Sequence, residues 1–186
     1  MYRTLILLLY GSGLRIGEVL RLTILDVDVV DRVITVRDTK FFKSSLVPLG
    51  PRLSTELAAH IERRRNLPMP EGENSRLFTS YTGKGWPYSQ VITLFQRLRY
   101  AAQIKCPEGE LHPPRLHDLR HTAAVHRVLA WYRDGKDLQR LLPQLAIYLG
   151  HVDIKSTQRY LRMTLELLEE ASRRFAQYAQ CGDDHE

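Results

Sequence analysis

The sequence predicts a mainly α-helical fold with one small antiparallel sheet, and two patterns predict it. Apolar residues recur at helical spacing along most of the chain, for example Leu53, Leu57 and Ile61, or Val91, Leu94, Phe95 and Leu98. β-Branched residues crowd into one early region, where Val33-Ile34-Thr35-Val36 is flanked by Val27 to Val30 and by Leu46-Val47-Pro48-Leu49. Three short strands among many helices make a minor sheet in a helical domain. At 186 residues the chain is long enough for one large domain with a real core.

The first helix runs from Tyr2 to Tyr10, and the Gly11-Ser12-Gly13 turn is expected to break it, because glycine tolerates turn geometry. A short helix follows over Leu14 to Leu22, with Leu14, Val19 and Leu22 inward. The three strands come next, the last two joined by the turn Asp38 to Ser44. Pro51 opens a helix to Arg65, since proline is tolerated in a first turn. Asn66 to Ser75 reads as a loop, Leu77-Phe78 as a short strand, and Tyr81 to Tyr88 as another loop. Ser89 is expected to cap a helix to Ile104, with Val91, Leu94, Phe95 and Leu98 inward and Arg97 and Arg99 outward. After a loop over Cys106 to Pro114, a helix starts near His117 and stops near Asp134-Gly135. Proline is awkward inside a helix. Lys136 to Leu142 is therefore read as a turn and Pro143 to Leu149 as a short helix ended by Gly150. Two more helices follow, Ile154 to Leu161 and Leu165 to Gln180. Trp86 and Trp131 are read as core or loop-anchoring aromatics, and His112, His121 and His126 as structural or surface residues.

Composition narrows the function classes. The longest apolar run, Leu5 to Tyr10, is far shorter than the roughly 20 residues of a membrane span, and it lacks a cleavage site for a secretory signal. Cys106 and Cys181 are far apart and have no metal-type spacing, which points to a reduced, cytosolic protein. The net charge of +6 and pI near 9.5 favour a polyanionic partner. The last residues, 181–186, form an acidic tail expected to be frayed, so the body over residues 1–180 is more basic than the total.

Four stretches carry residues suited to chemistry. Arg15 follows the Gly-Ser-Gly turn, with Glu18 three residues on. Lys40 lies in the hairpin turn between the second and third strands, where Lys43 is its competitor. His117 and Arg120, three apart at a helix start, can point at one spot. His151 follows Leu149-Gly150, and Tyr160 comes nine residues after it; Tyr148 is the competing tyrosine and is expected to pack inward. Together these residues suit phosphoryl transfer at DNA. Two guanidiniums would neutralise charge growing on the non-bridging oxygens, because the planar fork matches a phosphate. The tyrosine would be a nucleophile forming a covalent intermediate, activated by a base or a strongly positive site. The lysine would protonate the leaving alkoxide. No His/Cys or carboxylate cluster has metal spacing, so the arginines would replace the metals of many nucleases.

The order of these pieces resembles the catalytic domain of the tyrosine recombinases, the phage-integrase family. The matching runs are Gly13-Leu14-Arg15-Ile16-Gly17-Glu18, Thr39-Lys40 with Leu46-Val47-Pro48-Leu49, His117-Asp118-Leu119-Arg120-His121-Thr122, and Leu149-Gly150-His151 through Tyr160. The resemblance implies the catalytic-domain fold shared with type IB topoisomerases. It implies that Arg15 and Arg120 clamp the scissile phosphate and that His117 assists the nucleophile's proton and holds the phosphate. Lys40 would be the general acid, His151 a hydrogen-bond donor to the phosphate, Tyr160 the nucleophile giving a 3′-phosphotyrosyl link, and Glu18 a supporting residue. It implies neither cofactor nor metal, no small-molecule substrate and no membrane. The partners would be double-stranded DNA and other recombinase subunits in a synaptic multimer, in the bacterial cytoplasm at the nucleoid. The family's N-terminal DNA-binding domain, and the catalytic domain's own first helix, are expected to be missing from this stretch, as in an excised piece or a shortened gene product. The segment Trp131 to Ala146 is longer than the family's usual spacing. Two other readings stand beside this one: a type IB topoisomerase that relaxes DNA, and a non-catalytic DNA-binding or assembly module that keeps the fold.

Overall fold

The computed structural model describes residues 1–37, 44–106 and 111–150, together with Ser172. The turn over residues 38–43, the two helices expected beyond residue 151 and the acidic tail lie outside the described residues. The chain divides into two compact units, Met1–Ala123 and the part from Ala124 onward.

In the first unit, helix α1 (Tyr2–Ser12) buries Leu5, Leu8 and Leu9. It runs two residues past the expected break. Only Gly13 takes the left-handed conformation (φ 66°) that ends a helix, and its N–H donates to the Leu9 carbonyl. Gly11 stays helical at a close approach: a Cβ there would stand 2.9 Å from Leu53 Cδ2. Helix α2 (Ile16–Arg21) follows, with Leu14, Val19 and Leu22 buried as their spacing predicts.

The sheet has the order β1-β2-β3, antiparallel throughout. Strand β1 (Val27–Asp28) pairs with β2 (Val33–Val36), Val27 facing Ile34. Strand β2 pairs with β3 (Ser45–Pro48), Ile34 facing Val47. The period-two pattern sends Ile34, Val36 and Val47 into the core. Strand β1 stops short of Val30 because the Asp28 carboxylate accepts from the Val30 and Asp31 N–H groups, a side-chain-stabilised turn that leaves Val30 85% exposed.

Helix α3 (Pro51–Arg65) has Pro51 in its first turn and buries Leu57 and Ile61. It also buries polar residues that hydrophobic periodicity does not flag, Arg64 and His60 among them. Arg64 is 1% exposed; its Nε donates to the Arg76 carbonyl and its Nη1 to the Pro68 carbonyl at 3.1 Å, which ties down the loop after α3. His60 holds Nε2 3.0 Å from the Leu77 carbonyl and stacks on Phe78, with ring centroids 5.0 Å apart. Leu77 and Phe78 are fully buried but form no strand. Isolated bridges at Thr23–Arg76 and Thr79–Gly85 flank them instead.

Helix α4 (Tyr88–Ala101) begins one residue before Ser89, with Pro87 at the cap position and no side-chain cap. Val91 is buried as expected, but Leu98 is 47% exposed. Arg99, expected outward, is half-buried and donates to the Pro114 carbonyl at 2.8 Å. The loop that this bond holds leads into α5 (Asp118–Arg133), the bearer of the second candidate arginine. Trp86 packs on the core of this unit, edge-on to Tyr2.

In the second unit, α6 is one helix (Leu138–Tyr148), not a turn followed by a helix. Asp137 caps it by accepting from the Gln139 and Arg140 N–H groups. Leu138, Leu142, Leu145 and Leu149 lie on one helical face and pack with Ala124, Val128 and Trp131. That apolar stripe outweighs the bond that Pro143 cannot donate. Pro143 is itself exposed, so its ring adds little packing. Pro143→Ala should therefore raise thermal stability, by at most about 3 kcal/mol, the helix-interior penalty of proline. A lower melting temperature for the variant would show that the ring is needed.

Candidate active site

The first candidate arginine is set by its own turn. Arg15 occupies the cap position of α2 in an extended conformation (φ −73°, ψ 144°), and its carbonyl accepts from the Glu18 and Val19 N–H groups. Glu18 reaches back three residues: Oε2 accepts from the Arg15 N–H at 2.8 Å, and Oε1 accepts from Arg15 Nη1 at 2.9 Å. One carboxylate thus satisfies an orphan donor of the helix start and aims the guanidinium. The Glu18 side chain is 9% exposed and that of Arg15 is 41% exposed, so the acid is the inner member of the pair.

The second arginine is placed by a bond across 107 residues of sequence. Arg120 is 3% exposed, and its Nη1 donates to the Gly13 carbonyl at 2.7 Å. Gly13 is the left-handed residue between α1 and α2, two residues before Arg15. A buried cation requires hydrogen-bond partners, and such charge-assisted bonds are each worth about 1.5–3 kcal/mol. The start of α5 is thereby tied to the turn that carries Arg15.

The turn before α5 repeats the device seen at Arg15. Asp118 Oδ2 accepts from the Arg115 N–H at 2.7 Å, and its other oxygen lies 3.5 Å from the Arg115 guanidinium. Leu116 and Leu119 pack into the core, which turns His117 outward between them. The His117 imidazole is exposed at its edge, yet it is held below the ordinary histidine pKa. Partial burial of the ring is the main cause. The Arg120 guanidinium comes next, Arg115 and Arg15 add to it, and Asp118 opposes them. Both candidate arginines therefore act electrostatically on the same imidazole, and both favour its neutral form.

The structure brings Arg15, Glu18, His117 and Arg120 together within the first unit. Lys40, its competitor Lys43, His151 and Tyr160 lie outside the described residues. Gly150, next to His151, ends α6 in the left-handed conformation (φ 61°). Tyr148, the competing tyrosine, is 40% exposed rather than packed inward. His112 and His126 are on the surface and His121 is half-buried. Among the described residues, no group of His, Cys, Asp and Glu could hold a metal ion. Sequence reading missed the Gly13 carbonyl as the partner of Arg120, a contact that carries no local signal. The role of Asp118 had one: an acid three residues after an arginine, as in Arg15 and Glu18. Two guanidiniums beside a neutral imidazole can hold a phosphate and accept a proton next to it.

Comparison with known proteins gives the same direction. The sequence profile of the phage integrase family matches residues 1–166. A putative integrase/recombinase, y4rB of Sinorhizobium fredii, is 39% identical over 173 residues, covering 93% of this chain and 55% of that protein. The tyrosine recombinase XerD of Ralstonia nicotianae is 32% identical over 166 residues, covering 89% of this chain and 49% of that protein. The chain thus spans about half the length of these relatives. Among solved structures, the XerA recombinase superposes with a TM-score of 0.70 over 94% of this chain and 62% of its own, at 24% identity, which shows the shared fold. The chain belongs to the phage integrase family, the tyrosine recombinases.

Proposed function

We propose that residues 1–180 form the catalytic domain of a site-specific DNA recombinase that cleaves and rejoins DNA through a 3′-phosphotyrosyl intermediate. The observation that carries this reading is the buried Arg120 guanidinium, hydrogen-bonded to Gly13 two residues before Arg15, with the His117 pKa held down by its burial and by both arginines. In this reading Arg15 and Arg120 hold the non-bridging oxygens of the scissile phosphate and stabilise the charge that grows there. Tyr160 Oη attacks phosphorus and gives its proton to His117. The bond to the 5′-oxygen breaks, and Lys40 delivers a proton to that oxygen. His151 donates a hydrogen bond to the phosphate. One phosphodiester is exchanged for another, so the step is nearly neutral in bond energy and runs backwards to rejoin strands. The partners are duplex DNA and further recombinase subunits in a synaptic multimer. Of the solved proteins with this fold, the XerH recombinase has been captured on its difH substrate, in line with DNA as the polyanion that the basic charge favours. The working compartment is the bacterial cytoplasm, at the nucleoid. Among the described residues, no helix is long and apolar enough to cross a membrane.

Removing only the attacking oxygen, as in Tyr160→Phe, should abolish the SDS-resistant adduct with nicked duplex while leaving DNA binding nearly unchanged. An adduct that persists in this variant would rule out Tyr160 and bring Tyr148 forward. Arg120→Lys should lower single-turnover cleavage by about 10²–10³, the cost of losing one transition-state donor, because an ammonium cannot hold both Gly13 and a phosphate with a planar fork. Wild-type cleavage by the lysine variant would refute that role.

Since His117 titrates below its unfolded value, its neutral form is favoured by folding. The associated stability is full above the unfolded pKa of about 6.5 and declines as pH falls through that value towards the folded pKa. An NMR titration of the His117 ring protons in the DNA-free protein should give a midpoint below 6.5. A midpoint above it would mean that Asp118 outweighs ring burial and the arginines together.

A further inference from the structure

A pocket of about 220 Å³ opens beside α2, with Glu18 in its lining. Arg21, Arg37 and Arg76 line it, together with Asn74, Glu18 and Asp26. Both carboxylates are already committed. Glu18 accepts from the Arg15 N–H and guanidinium. Asp26 Oδ2 accepts from the Thr23 N–H and hydroxyl, and its Oδ1 accepts from Arg37 Nε at 2.7 Å. Arg76 Nη1 donates to the Arg21 carbonyl at the end of α2, which fixes the stem of Arg76 beside the pocket. Neither Arg21 nor Arg76 belongs to an ion pair among the described residues. Asp26 thus neutralises Arg37, and Arg21 and Arg76 remain as cationic donors that the acids of the pocket do not pair.

The ligand these donors fit is a tetrahedral oxyanion. Guanidinium forks match phosphate oxygens in pairs, and the Asn74 amide offers a further neutral donor. Both flanks of the pocket adjoin the candidate active site along the chain. Glu18 is shared with Arg15, and Arg37 immediately precedes the 38–43 segment that contains Lys40. Successive phosphates on one strand of a duplex advance only about 3.4 Å along its axis. A duplex held at one phosphate therefore presents others to the neighbouring surface.

We propose that the pocket formed by Arg21, Arg37 and Arg76 seats a second phosphate of the DNA backbone, flanking the reacting one. The proposal rests on the DNA-processing reading above and adds to it a contact that positions the duplex. Such a contact is read from the backbone, so it strengthens binding to any sequence and steepens its dependence on salt.

The test uses the full chain and a labelled duplex of arbitrary sequence, titrated across a salt series. Arg21→Gln is the principal variant, because its side chain makes no hydrogen bond among the described contacts and its loss should not disturb the fold. Arg76→Gln is the second, with its melting temperature measured alongside, since it also releases the Arg21 carbonyl. Arg63→Gln, on the exposed face of α3, is the control for loss of one positive charge. Arg21→Gln should bind DNA several-fold more weakly, with a salt slope shallower by about 0.9, the share of one neutralised phosphate. The control should stay near wild type. Equal affinity and slope in Arg21→Gln, or an equal loss in Arg63→Gln, would overturn the pocket while leaving the recombinase reading standing. Calorimetry with inorganic pyrophosphate forms the other arm. Pyrophosphate binding that Arg21→Gln abolishes, with DNA affinity intact, would identify a free phosphate compound as the ligand and overturn the DNA assignment. A wild-type chain that shows no salt-dependent DNA binding would remove both this proposal and the function it rests on.

Discussion

The hydrogen bond from Arg120 to the Gly13 carbonyl organises the candidate active site. It joins the first turn of α5 to the corner between α1 and α2, two segments more than a hundred residues apart. The bond depends on glycine, because only the left-handed conformation at Gly13 both ends α1 through the Leu9 carbonyl and turns the chain towards Arg15. It also depends on burial. An arginine 3% exposed cannot trade its partner for water, so the corner and the helix are held in one arrangement. The guanidinium that orders this corner is the one proposed to hold the phosphate.

Around that bond the chain repeats one local device. At Arg15–Glu18, Thr23–Asp26 and Arg115–Asp118, an acid three residues on folds back to accept the backbone N–H of the earlier residue. In each case the acid also meets the side chain of that residue. A helix or turn start leaves N–H groups without partners, and the returning carboxylate satisfies one of them while favouring the positive end of the helix dipole. Where the first residue is arginine, the same carboxylate fixes the direction of a long, flexible cation. Rotamer freedom that would otherwise be lost on binding an anion is thereby removed in the folded protein.

Electrostatics then distributes the roles. Glu18 is inner and Arg15 is outer in their pair, so the cation and not the acid reaches solvent. Partial burial, then its positive neighbours, favour the neutral form of His117, the state in which an imidazole can take a proton. Elsewhere in the first unit, Arg64 does purely structural work: fully buried, it uses backbone carbonyls to hold the loop after α3.

The sequence by itself determined whatever depends on near neighbours. Periodicity is local, so helices α1 to α5 in outline, the three strands and the inward residues Leu14, Val19, Leu22, Leu57 and Ile61 were legible. The Arg15–Glu18 pair was legible too, because a three-residue spacing is enough to define a turn. The tertiary structure decided whatever depends on partners distant in the chain. Helix α1 passes through Gly11 because α3 packs closely there, and stops at Gly13, whose carbonyl serves α5. Helix α6 absorbs Pro143 because its leucine stripe packs on Ala124 and Val128. Leu98 fits the inward pattern of α4 but meets no core there, and Arg64 is a charged residue buried on the inward face of α3, where distant backbone carbonyls receive it. The pairing of Arg120 with Gly13 and the depressed pKa of His117 belong to the same class. Hydrogen bonds and fields act through space, and no local pattern of residues encodes which distant group will be there.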